Sequence, residues 1–188
     1  MAIGVANADN HTDTLAKKLN QAALERTQSS VVYNGKYVKI PYPNGDVPKN
    51  IGVCTDVIIR SYRKLGIDLQ QLVHEDMQRH FSAYPSKRLW GLKHTDSNID
   101  HRRVPNLRTF FKRKGKSLPI THNGNDYKTG DLVTYMLSGN LPHIAIVTDK
   151  IGKSGNPKIV HNIGLGPKLD DNLFDYKITG HYRYSGIP

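Results

Sequence analysis

Cys54 is the only cysteine among 188 residues, and it stands in GVCTDVIIRSYRKLG, at the start of a stretch with helical periodicity. A thiol at a helix N-terminus faces unpaired N–H groups and the positive end of the helix dipole, which lower its pKa and make it nucleophilic. Such a nucleophile requires a base. His143 opens the apolar run His143-Ile144-Ala145-Ile146-Val147 directly after Pro142, and His161 closes the next run, KIVHNIG. A hairpin of those two strands sets both imidazoles at one end of a sheet. Cys54, His143 and His161 then supply a nucleophile, a general base and a third group that orients the base. Other readings of the same residues stay open: an inert core thiol, half-exposed histidines at strand ends, or a Cys/His/His zinc site. No HExxH and no closely spaced ligand pair accompanies them, so no metal is expected.

These residues need elements to position them. HTDTLAKKLNQAALERTQ puts Leu15, Leu19, Ala22 and Ala23 on one face and predicts an amphipathic first helix capped by Thr12 or Asp13. Residues 1–11 are expected as a flexible arm or signal remnant ahead of a single domain over 12–188. VVYNGKYVKI predicts a hairpin around Asn34-Gly35, and PYPNGDVPKNIG a loop. The Cys54 helix runs to Gly66 with Val57, Ile58 and Tyr62 inward. Asp68 caps the next helix, which carries Leu69, Leu72, Val73, Met77 and Phe81. Tyr84 to Pro105 is irregular and rich in His, Asp and Arg, and a loop of that length in a compact domain points to function. Asn106 caps a short helix through Phe110 and Phe111, closed by Gly115. GDLVTYML, HIAIVTD, PKIVHNIG and HYRY then read as strands. Helices first and antiparallel strands later predict an α+β fold, with the helices, including the one bearing Cys54, packed on a C-terminal sheet.

Composition bounds the partners. Lys and Arg number 27 against 16 Asp and Glu, a formal net charge of +11. That surface attracts polyanions, but the charge is scattered in short runs such as Lys112 to Lys116, so nucleic acid is not the expected partner. One cysteine excludes an internal disulfide and a CxxC zinc ribbon. No run approaches the ~18 apolar residues of a membrane span. MAIGVANADN lacks a charged n-region, yet Ala6-Asn7-Ala8 has the form that signal peptidase cuts after. A trimmed export signal is the expectation.

GVCTDVIIRSYR, TGDLVTYML and PHIAIVTD together resemble the NlpC-type, papain-like cell-wall cysteine peptidases over roughly residues 40 to 165. The shared pattern is a Cys at a helix start, a GDLV strand, and a strand that opens with His followed by small and branched residues. As a whole the chain resembles still more an uncharacterised bacterial domain family of that clan, marked by GVCTDV, NIDHRRVPNL and HNIG. The resemblance implies a papain-like fold and attack by Cys54 on amide or peptide bonds of peptidoglycan stem peptides. It makes His143 the base and His161 its orienting group, with no cofactor. A tyrosine upstream of the cysteine helps at such sites, and Tyr42 in PYPNGDVP lies at similar spacing. The usual DCSG is here Val53-Cys54-Thr55-Asp56, which leaves Asp56 either to pair with Arg60 or to contact substrate.

Asp100, His101, Arg102 and Arg103 in NIDHRRVPN offer an arginine fork for substrate carboxylates, or an Asp–Arg network that pins the loop. Asn162 offers a hydrogen bond near the site, or a turn before Gly164. The implied partner is peptidoglycan or its muropeptides, met by a periplasmic or secreted protein assumed monomeric. Two alternatives stand beside it: a papain-like hydrolase or acyltransferase on another amide or ester, and a non-catalytic binder of anionic cell-envelope polymer.

Overall fold

Alternation divides the long C-terminal strands into two apolar faces. Leu132, Ile144, Ile146 and Val160 point one way and join the buried side chains of the helices. Val133, Tyr135, Ala145, Val147 and Ile159 point the other way, under Tyr127 and Leu173. A computed structural model describes residues 3–186, with side chains from Thr14 onward. Its elements are α1 (Ile3–Arg26), β1 (Val32–Tyr33), β2 (Ile51–Gly52), α2 (Cys54–Lys64), α3 (Leu69–Arg79), α4 (Ser86–Trp90) and α5 (Val104–Lys114), followed by β3 (Lys116–Ser117), β4 (Leu132–Leu137), β5 (Leu141–Ile151), β6 (Pro157–Asn162), β7 (Pro167–Asp170) and β8 (Lys177–Arg183). The main sheet is antiparallel in the order β3-β8-β4-β5-β6-β7. The protein is therefore a mixed helix-and-sheet fold, with α2 packed against β5 and β6. Among the described residues no helix is long and apolar enough to cross a membrane.

Several local expectations shift. The Asn34-Gly35 hairpin does not form. Neither residue adopts the positive φ that a tight hairpin turn needs. Asn34 Oδ1 instead accepts Lys36 N–H, and Asn34 N–H donates to Gly52 O. The chain thus continues alongside β2 and makes β1–β2 a parallel pair, with Tyr33 opposite Gly52. The backbone of α1 is helical from Ile3, upstream of Thr12 and Asp13; Met1 and Ala2 of the expected arm lie outside the described residues. Asp68 does cap α3, accepting Gln70 N–H at 3.0 Å. Asn106 does not cap α5. That helix starts at Val104, and the buried Asn106 amide donates to Asp100 O while accepting from Ser86 Oγ, which ties the 84–103 segment to α5.

The aspartate of GDLV has a structural job. Asp131 is fully buried and accepts from Arg183 Nε and Nη2 at 2.7 and 2.9 Å, with His181 Nε2 at 2.8 Å, so it locks the start of β4 to β8. Removing Asp131 leaves the buried His181 ring and the partly exposed Arg183 guanidinium without their shared acceptor. Asp131→Ala is expected to lower the unfolding free energy by roughly 3 kcal/mol, read as a fall in the urea midpoint; an unchanged midpoint contradicts this role.

Candidate active site

The turn that launches α2 is built by residues distant in sequence. Val53 is extended, with φ −127° and ψ −173°, and donates its N–H to Asp56 Oδ2 at 2.7 Å. The same carboxylate accepts from Arg102 Nε and Nη2 at 2.9 and 2.8 Å, and both side chains are nearly inaccessible, at 3% and 2% exposure. Thr55 Oγ1 adds a bond to Arg102 O at 3.0 Å. Asp56 and Arg102 therefore form a buried clamp, each committed to the other. The Asp56–Arg60 pair is replaced as well: Arg60 Nε binds Asp46 at 2.9 Å.

Cys54 is the first residue of α2, and its thiol is buried, next to the backbone N–H groups of Ile144 and Thr55. Those donors favour the thiolate. Burial opposes them and wins, pushing the thiol up to about 12, which reverses the lowering expected from the helix dipole alone. On β5 and β6 the two histidines meet. His143 Nε2 and His161 Nδ1 are 2.8 Å apart, with rings inclined at 70°. His161 Nε2 lies 3.0 Å from Asp170 Oδ2 on β7, an acidic partner absent from the sequence reading. Burial, then the neighbouring His161 ring, pushes His143 down to about 3. Burial also lowers His161, against the pull of Asp170.

The helix bearing Cys54 packs on the strands bearing the histidines, but among the described residues no hydrogen bond joins the two halves. Cys54 shares the helix-facing core with Ile144, the residue after His143, whereas the His143 ring lies near Tyr135 on the face shared with Ala145. Among the described residues, no hydrogen bond links Cys54 Sγ to His143.

The other candidates sort by position. Tyr42 is not at the thiol; its ring sits edge-on to His74 on α3, at 5.0 Å. The tyrosine near Cys54 is Tyr33, raised to about 12 by burial and then by the negative charge of a Cys54 thiolate and of Asp56. The hairpin assigned to its segment concealed it. Asn162 Oδ1 accepts Gly164 N–H at 3.1 Å, as a turn former does. Its buried Nδ2 has no partner among the described residues, and Asn162 lines a cavity of about 10 Å³ with Gly52, Val53 and Asp56. Asp100 and Arg103 bond within the loop itself. Asp100 accepts Asp96 N–H and is raised to about 6 by burial. Arg103 stacks on Trp90 at 4.3 Å and reaches Asp100 at 3.4 Å. His101 is buried, with Nδ1 unpartnered among the described residues.

Residues 20–184 match the family described as Domain of unknown function (DUF1287). The Uncharacterized protein YijF of Escherichia coli (strain K12) is 49% identical over 162 residues, which cover 86% of this chain and 78% of that protein. The chain belongs to the DUF1287 family. A solved structure of NlpC1 from Trichomonas vaginalis aligns with 90% of this DUF1287 chain at 12% identity and a TM-score of 0.47; the chain spans 44% of that structure's length.

Two outcomes follow from the site's neutrality. A thiol raised to about 12 is almost wholly protonated near neutral pH. Iodoacetamide is therefore expected to alkylate Cys54 in the resting DUF1287 protein at least about tenfold more slowly than a free thiol, followed by intact mass; equal rates contradict the burial. His101 and His143 titrate near 3 when folded against 6.5 in the unfolded chain. The unfolded chain binds more protons between those values, so stability is full above about pH 6.5 and is lost as pH falls, by up to ~1.4 kcal/mol per unit for each ring. Asp100 works in the opposite sense between 3.8 and about 6, but it is one group against two. The urea midpoint should fall between about pH 7.5 and pH 5, and a constant midpoint refutes the burial of these rings.

Proposed function

We propose that this DUF1287 protein is a papain-like cysteine hydrolase of amide or peptide bonds in peptidoglycan stem peptides. Cys54 is the nucleophile, His143 the general base and His161 its orienting group. The observation that carries this reading is the 2.8 Å contact between the two imidazoles on β5 and β6, the strands against which the Cys54 helix packs. His143 Nδ1 has no hydrogen-bond partner among the described residues, which leaves one ring nitrogen for proton transfer.

Thiol and imidazole both rest neutral, so attack begins with a proton transfer and not from a stored ion pair. The Sγ proton moves to His143 as the sulfur–carbon bond forms and the carbonyl electrons shift to oxygen. The Cys54 N–H, at the open N-terminus of α2, is a donor available to that oxyanion. His143 then protonates the leaving amine as the carbon–nitrogen bond breaks. Water hydrolyses the thioester and restores the thiol.

A cavity of about 1020 Å³ bordered by Lys87, Arg88, Arg108 and Lys112 reaches Pro142, the residue before His143. Stem peptides carry several carboxylates, and this cationic wall suits them. A periplasmic or secreted location accompanies that substrate. The same wall favours one second reading, a non-catalytic binder of anionic envelope polymer.

Purified peptidoglycan incubated with the wild-type protein is expected to release fragments identifiable by mass spectrometry. Cys54→Ala and His143→Ala should release about 10³-fold less or lower, with the fold intact by circular dichroism. Undiminished release by Cys54→Ala removes the nucleophile. No release by the wild type, with salt-sensitive retention on sacculi, replaces the hydrolase with the binder.

A further inference from the structure

The hydrogen bonds leading away from His143 end at Asp170. We infer that Asp170 is a positioning residue that decides which nitrogen of His143 carries the lone pair. This inference rests on the reading of His143 as base.

The reasoning is a chain of proton placements. A carboxylate only accepts, so the 3.0 Å contact with Asp170 Oδ2 requires the proton of His161 on Nε2. A neutral imidazole carries one N–H, and the buried His161 is held toward its neutral form. Its Nδ1 is then a bare acceptor. Facing it at 2.8 Å, His143 Nε2 must be the donor. His143 Nδ1 is left with the lone pair and with no other hydrogen-bond partner among the described residues. With the opposite tautomer, His143 would hold a proton on Nδ1 and offer nothing to a thiol there.

The sheet makes this arrangement specific. In the β6–β7 ladder His161 is opposite Lys168, so Asp170, two residues on, lies diagonally across on the same face. Lys168 shares that face but is a donor only, and it cannot accept the His161 proton. Asp170 is thus the acceptor within reach of Nε2, and its side chain is 36% exposed, which lets it be replaced without opening the core.

The test is nitrogen NMR of the full chain with isotopically labelled histidine. In the wild type, His143 should be protonated on Nε2 and bare on Nδ1; a proton on Nδ1 overturns the inference without any variant. Asp170→Asn and Asp170→Ala should give a mixed or inverted tautomer, because an amide in place of an orienting carboxylate no longer enforces one proton position. Asp170→Glu should restore the wild-type spectrum. An unchanged His143 tautomer in folded Asp170→Ala also overturns the inference. On peptidoglycan, Asp170→Asn should lose about 10²-fold in kcat with KM little changed. If the wild type cleaves no peptidoglycan while the tautomer still depends on Asp170, the positioning role stands and the substrate reading fails.

Discussion

The buried pair of Asp56 and Arg102 is the constraint on which the rest of the site depends. Taking two charges out of water is costly, and only near-ideal geometry with further hydrogen bonds offsets it. Here the carboxylate receives two parallel bonds from the guanidinium and a third from Val53 N–H. The pair can form only when the 84–103 segment has folded over the start of α2. Cys54 lies between Val53 and Asp56, so its position is set by the same bonds. The arginine holds in place the turn that carries Cys54.

A second constraint comes from the pleat. Because successive side chains on β5 face opposite ways, Ile144 packs with α2 while the His143 ring lies with Tyr135 and His161. Cys54 packs in the same helix-facing cluster as Ile144. Burial of both partners keeps them uncharged, with thiol and imidazole displaced in opposite directions from their ordinary values.

Much of this was legible from local signals. The helical period after Cys54, the Asp68 cap and the apolar alternation around His143 and His161 each depend on neighbouring residues, and each is found where the sequence implies. What escaped was non-local. Asp56 and Arg102 are 46 positions apart, and nothing in either segment announces the other. Tyr33 was hidden because Asn34-Gly35 resembles a hairpin turn, whereas the pairing that forms is parallel and joins it to Gly52. Asp170 sits on a four-residue strand, PKLD, whose proline, lysine and aspartate carry little strand propensity. The thiol's acidity was misjudged for the same reason: a dipole is readable from the helix start, but burial is set by the whole fold.

The most direct measurement of the central claim is labelling by a stem-peptide analogue bearing an electrophilic vinyl sulfone. Capture of the probe at Cys54, mapped by peptide mass spectrometry and slowed at least about 10²-fold in His143→Ala, is the result expected if sulfur and imidazole act as one unit. Labelling at equal rates in the two proteins, or no labelling of Cys54 at all, would contradict it.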